Sequence, residues 1–140
     1  MRSLYSALGA QSGFGLVLLR LMTAIVFTYH GYQKVFVMGL SNVAGFFDKI
    51  GIPLAQISGP FIGLLELIGG ILLFLGIFTR LLSTLFAIEF IVATFAKWVL
   101  MSKGYDGSEL ELMLLFSCVL LATHGAGKYA LHSMLRLPPE

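Results

Sequence analysis

Charge is what this chain has least of. Only 11% of its 140 residues are Asp, Glu, Lys or Arg, and the net charge is +2. A soluble domain carries about 25% charged residues, so the surface here must itself be apolar, as in a membrane protein of one compact domain. Lysine and arginine form no run of the kind that grips phosphates, which sets nucleic acid aside as a partner. The single cysteine, Cys118, excludes an internal disulfide and a CxxC redox pair. No cluster has metal-ligand spacing, no glycine-rich phosphate loop follows a strand pattern, and no Ser/His/Asp set is recognisable. No complete catalytic apparatus is legible, no catalytic residue is assigned and no metal is expected. Internal repeats and low-complexity tracts are also missing.

What the chain has instead is hydrophobic length: 58% of its residues are hydrophobic and the mean hydropathy is +0.93. Apolar stretches cover residues 14–36, 57–78, 82–101 and 109–124, and a bilayer's hydrocarbon core takes about 20 helical residues. The fold expected is all-α and integral to the membrane: an antiparallel bundle of four transmembrane helices forming a single domain over 1–140. No small-residue cleavage site follows the first stretch, so it is expected to be retained as a span. Between the first two spans, residues 42–50 read as a short interfacial helix. Ser41 or Asn42 would be its N-cap, Gly51 would end it, and Val43, Phe46, Phe47 and Ile50 would share one face. The short turn after Phe78 makes the second and third spans antiparallel neighbours. Four spans put both termini on one side, with Arg2, Arg20, Arg80, Lys128 and Arg136; Lys34, Lys49, Lys97 and Lys103 fall on the other, which favours cytoplasmic termini.

The few charges are concentrated where they cost most. Glu66 lies near the middle of the second span, and a carboxyl there needs a partner, a wet cavity or a proton. Around it, Gly59, Gly63, Gly69 and Gly70 leave a face with almost no side-chain bulk, which is room for a packed helix or for a ligand. In the first span Arg20, Phe27 and Lys34 repeat every seven residues, with His30 four before Lys34, so its polar groups form one stripe that should face protein. Counting helical rise gives two polar layers. One pairs Arg20 with Glu89 near the terminus-bearing side, Arg20 to Glu66 being the alternative. The other gathers Glu66, His30 and Lys34, with Glu111 and Lys97, near the opposite side. These groups are either ion pairs that hold the bundle in register, or a set of acid, imidazole and amine that binds a quinone head group or small polar solute and exchanges a proton with it. The candidates for ligand binding or proton handling are therefore Glu66, His30, Lys34, Arg20, Glu89 and Glu111. Cys118 reads as a small buried hydrophobe, since a reactive thiolate would need a nearby cation. His30 and His124 fall at opposite depths, which excludes haem held between them.

Several blocks in order also resemble a known family: Leu19-Arg20-Leu21, His30-Gly31-Tyr32-Gln33-Lys34, Gly51-Ile52-Pro53, Leu65-Glu66-Leu67-Ile68-Gly69-Gly70 and Leu75-Gly76-Ile77-Phe78-Thr79-Arg80. Together they resemble the DoxX family of small bacterial membrane proteins, over nearly the whole chain. The resemblance implies a four-helix protein of the bacterial inner membrane that works with quinone, thiol or sulfur redox systems, as the DoxD subunit of thiosulfate:quinone oxidoreductase does. Quinone is the cofactor it implies. One departure is at the last helix, where the family's Gly-Pro-Gly is replaced by Gly125-Ala126-Gly127 and the nearby Ser-x-Asp is missing. Two other classes fit the residues: a non-catalytic scaffold, a homo-oligomer or partner-binding subunit whose glycine faces pack on other membrane proteins, and a proton-coupled transporter that needs an oligomer to complete a path.

Overall fold

The computed structural model describes residues 12–127 and 129–135, and it contains no strand among the described residues. Helix α1, Ser12–Tyr32, continues without a break into a π-helical turn, Gln33–Met38. α2 is Leu40–Lys49. α3, Ala55–Leu75, has its own π turn at Leu65–Gly69. α4, Thr79–Leu100, ends in a third, Ala96–Leu100. α5 is Glu109–His124 and α6 the short Leu131–Met134.

Three helices, Gly13–Met38, Ala55–Leu75 and Thr79–Leu100, are long and apolar enough to cross a membrane. α5 coincides with the fourth expected span but has only 16 residues. At 1.5 Å each that is about 24 Å, short of the ~30 Å hydrocarbon core.

Local chemistry explains where the helices stop. α3 ends before Phe78, the boundary hydrophobicity suggests, because Gly76 turns left-handed at φ +69°. The Gly76 and Ile77 amides then close on the carbonyls of Leu73 and Leu72 at 3.0 and 2.9 Å, satisfying groups the last turn leaves open. Gly51, at φ +83°, closes α2 in the same manner, as its position predicts. The N-cap expectation is corrected: α2 starts after Gly39, and Asn42 Nδ2 donates back to the Met38 carbonyl at 2.7 Å. Of the cations that set the expected orientation, Arg2, Lys128 and Arg136 lie outside the described residues.

α1 packs along α3, α4 along α5, and α2 covers the first half of α3, while α1 also touches α5. Lipid tails are as apolar as leucine, so such packing rests on close contact rather than on expelled water. Its centre is a fully buried layer of Ala24 and Phe27 from α1, Leu73 from α3, Phe86 from α4, and Cys118 and Leu121 from α5. Phe27 stacks on Phe86 with centroids 3.8 Å apart and meets Phe90 edge-on at 5.4 Å. α3 and α4 meet near this layer, where Gly69 faces Phe86 and Leu82. Beyond it, toward α2, a cleft lies between them.

Candidate functional site

The glycine face of α3 is filled by this chain's own helices. A Cβ on Gly59 would lie 2.8 Å from the Ala44 backbone of α2, and one on Gly70 would lie 2.6 Å from the Thr28 amide of α1. At Gly63 it would meet Leu40 Cδ2 at 2.9 Å and Lys34 Cβ at 3.4 Å; at Gly69, Phe86 Cζ at 3.0 Å. The tightest approach belongs to a residue that sequence reasoning did not single out. Gly31 of α1 sits directly on the backbone of Glu66 and Leu67, where any Cβ would overlap main-chain atoms. The available signal was its position three residues before Lys34, on the polar stripe. Of the two explanations for the smooth face, helix packing is what the geometry shows at these positions.

That close approach lets an amine on α1 meet an acid on α3. Lys34 Nζ donates to Glu66 Oε2, and the two side chains are 22% and 3% exposed. Both residues stand in π turns. A π turn widens the helix and interrupts the regular ladder, and such turns gather at functional sites. Lys97, in the π turn of α4, makes the second ion pair, 2.7 Å from Glu111 Oε1 of α5.

Glu89 joins the first pair, which corrects its expected partnership with Arg20. From α4 its carboxyl interacts with Glu66 and, more weakly, with Lys34. Its Oε2 is buried without a hydrogen-bond partner. Arg20, only 2% exposed, turns instead to the end of α5. Its Nη1 donates to the Ala126 carbonyl and its Nη2 to that of Tyr129 at 3.3 Å. Arg80 joins it there, donating to the carbonyls of Ala122 and Thr123 at 3.2 and 2.8 Å. The carbonyls of Ala122 and Thr123 belong to the last turn of α5, where negative partial charge favours a cation, and those of Ala126 and Tyr129 follow in the backbone after it. His30 is outside the cluster: it is exposed, its ring edge-on to that of Tyr29. His30 is the neighbour of Gly31, which faces the Glu66–Leu67 backbone, and successive helical side chains point about 100° apart. Among the described residues, no group of three or more His, Cys, Asp or Glu could hold a metal.

The cleft between α3 and α4 has a volume of about 540 Å³, within the range of small-molecule sites. Phe46 and Phe47 of α2, with Ile50 just after it, form its floor, Phe61, Ile62 and Leu65 one wall, and Leu85, Val92 and Ala93 the other. Its polar liners are Ser58, Glu89, Lys97 and Lys103. Two of these are already engaged, since Ser58 Oγ donates to the Pro53 carbonyl and Lys97 is paired with Glu111. Glu66 and Lys34 stand behind Glu89 and do not line the cleft. A second groove, of about 470 Å³ and almost wholly apolar, lies on the outer face of α1 and α3, bounded by Ile25, Tyr29, Tyr32, Leu67, Ile71 and Phe74.

Residues 15–98 match the DoxX family model, a span holding α1 to α4 except their extreme ends. The chain is 36% identical over 118 residues to a Bacillus subtilis protein named "Putative oxidoreductase CatD", covering 84% of each chain. It is 31% identical over 121 residues to an uncharacterised Haemophilus influenzae protein, covering 83% of this chain and 87% of that one. A Mycobacterium tuberculosis membrane protein is 27% identical over 140 aligned residues, covering 91% of this chain and 85% of that one. No solved structure matches the chain.

Proposed function

Because this chain belongs to the DoxX family, we propose that it is a bacterial inner-membrane subunit of a redox system whose cleft takes an apolar aromatic ligand of the quinone class. In this reading α5 completes a fourth crossing and the termini are cytoplasmic, and the electron-transferring groups belong to partner subunits. The observation that carries the reading is the apolar cleft between α3 and α4, which reaches the Glu89 carboxyl beside the Lys34–Glu66 pair. Its walls suit a ring and its substituents, while the acid at the lining suits the ring's oxygen. Two carboxyls set against one ammonium leave one negative charge over, and a proton on the acid pair balances it, so the site is built to hold and release a proton as a bound ring changes redox state. The name borne by the Bacillus relative supports a redox setting.

The test is calorimetric titration of the purified protein with a short-chain quinone analogue, alongside the cleft-filling variant Ala93→Phe. Saturable binding by the wild type, lost in a variant that keeps its thermal transition, is the expected result. No binding by the wild type, or equal binding by both proteins, overturns the reading.

A further inference from the structure

The cleft between α3 and α4 has a direction and a charged end. Leu85, Ile88, Val92, Ala96 and Lys97 line it from successive turns of α4, so from Leu85 to Lys97 it follows that helix for about 18 Å. Because α4 is long and apolar enough to cross a membrane, the cleft runs along the direction of the lipid chains. Its rim lies open on the apolar surface, with Phe61, Ile88 and Val92 each about half exposed.

Two lysines stand at the end where α4 stops. Lys97 is in its last turn, and Lys103 follows in the loop, which doubles back through left-handed Ser102 and Gly104 at φ +54° and +63°. The Lys103 amide donates to the Lys97 carbonyl at 2.9 Å, which brings both residues to one end of the cleft. A Cβ on Gly107 would lie 2.6 Å from Lys103 Cβ and 3.3 Å from its Cδ, so the lysine stem lies in room that this glycine leaves. Lys97 is paired with Glu111, whereas Lys103 makes no ion pair among the described residues. Trp98 and Tyr105, both exposed, stand to either side in the sequence, and such aromatics mark the headgroup level of a bilayer. Glu89, the acid of the cleft, lies eight residues before Lys97, about 12 Å deeper along α4.

From this we infer that the cleft holds one acyl chain of an anionic phospholipid, with the lipid's phosphate at Lys103 and the chain between Phe47 and Ile62 on one side and Val92 and Ala96 on the other. An apolar slot open to the membrane fits the chain, and an unpaired cation at headgroup level fits the anion. A zwitterionic lipid fits the slot equally but brings a cation of its own toward Lys103. This goes beyond the function proposed above and does not rest on it. The chain and the aromatic ligand use the same walls, so each excludes the other.

The test photolabels the full chain in phosphatidylcholine nanodiscs that contain a trace of a lipid with a diazirine in one acyl chain. The head group is either phosphatidylglycerol or phosphatidylcholine, and attachment sites are read by mass spectrometry. Ile62, Val92 and Ala96 should be labelled about fivefold more by the glycerol lipid, the worth of one lysine beside an anionic head. Tyr29, Ile71 and Phe74 of the outer groove should be labelled equally by both. Lys103→Gln, a change in an exposed loop, should bring the glycerol lipid down to the choline level in the cleft, and Lys103→Arg should keep the preference. Millimolar glycerol phosphate, the head without the chain, should displace nothing. Equal labelling of the cleft by both lipids, or no labelling of it, overturns the inference. An equal preference in the outer groove overturns the cleft as its source, one that survives Lys103→Gln overturns the role of Lys103, and displacement by glycerol phosphate overturns the role of the chain.

Discussion

At one end of the bundle Arg20 and Arg80 donate to backbone carbonyls at and after the close of α5; at the other, Lys34 meets Glu66 with a second acid, Glu89, left over. Both ends bury charge, and they neutralise it differently. The arginine end uses fixed partial charges of the backbone, which come with the fold. Gly76 packs closely there: a Cβ on it would lie 2.8 Å from Arg20 Nη1 and 3.0 Å from Ala130. The acid end uses ionisable partners in unequal number, next to a cleft, and two of them, Lys34 and Glu66, stand in π turns. Between the two, the Phe27–Phe86 stack and its fully buried neighbours form a dry layer. Membrane cost alone makes any buried charge look functional; the difference between these ends shows that the kind of neutralisation separates structural charge from a candidate site.

The comparison can be broken most forcefully at the ion pair. Lys34→Met removes the ammonium from a carboxyl that is 3% exposed, and breaking such a pair costs about 3–5 kcal/mol. The double variant Lys34→Met/Glu66→Leu should recover most of that loss in chemical unfolding in detergent. If the double variant is no more stable than the single one, the pair is not the source of the cost. Next comes Gly31→Ala, whose added methyl overlaps the Glu66–Leu67 backbone. It should cost about 1–3 kcal/mol as overpacking does and weaken aromatic binding as well. At the other end, Arg20→Met should cost about 2 kcal/mol, the worth of hydrogen bonds from a charged donor, yet leave ligand affinity within twofold of wild type. A large loss of affinity there would erase the distinction between the ends. The smallest effect is a gain: a Cβ on Gly45, exposed within α2, meets nothing within 4 Å. Gly45→Ala should therefore stabilise by about 0.5–1 kcal/mol through helix propensity, read as a higher unfolding midpoint.

Helical class and some helix ends were legible because hydrophobic length and turn chemistry are local properties, while the end of α3 and the start of α2 differ from their expected places. α5 falls on its expected residues, and Gly51 closes α2 where its position predicts. The Lys34 and Glu66 approach was legible too, since membrane cost forces an acid and a base at similar depth to find each other. Depth does not fix direction around the helix axis, however, and that is where Arg20 and Glu89 were misassigned. Glu89 lies ten residues after Thr79 and eleven before Leu100, so helical rise alone leaves it nearly equidistant from both polar layers. The carbonyls that receive Arg20 belong to backbone after α5, which side-chain patterns do not announce. The three π turns have no sequence signature either. They hold Lys34, Glu66 and Lys97, while His30 lies before the first of them and faces outward.

The central claim is that the space beside Glu89, rather than the outer groove of α1 and α3, is where an aromatic ligand sits. Photolabelling with a diphenol that carries a short aliphatic diazirine tests it most directly, with the attachment sites read by mass spectrometry. The account predicts label on Phe46, Ile62 and Val92, abolished by Ala93→Phe. Label on Tyr29, Ile71 and Phe74, unchanged by that substitution, would contradict it.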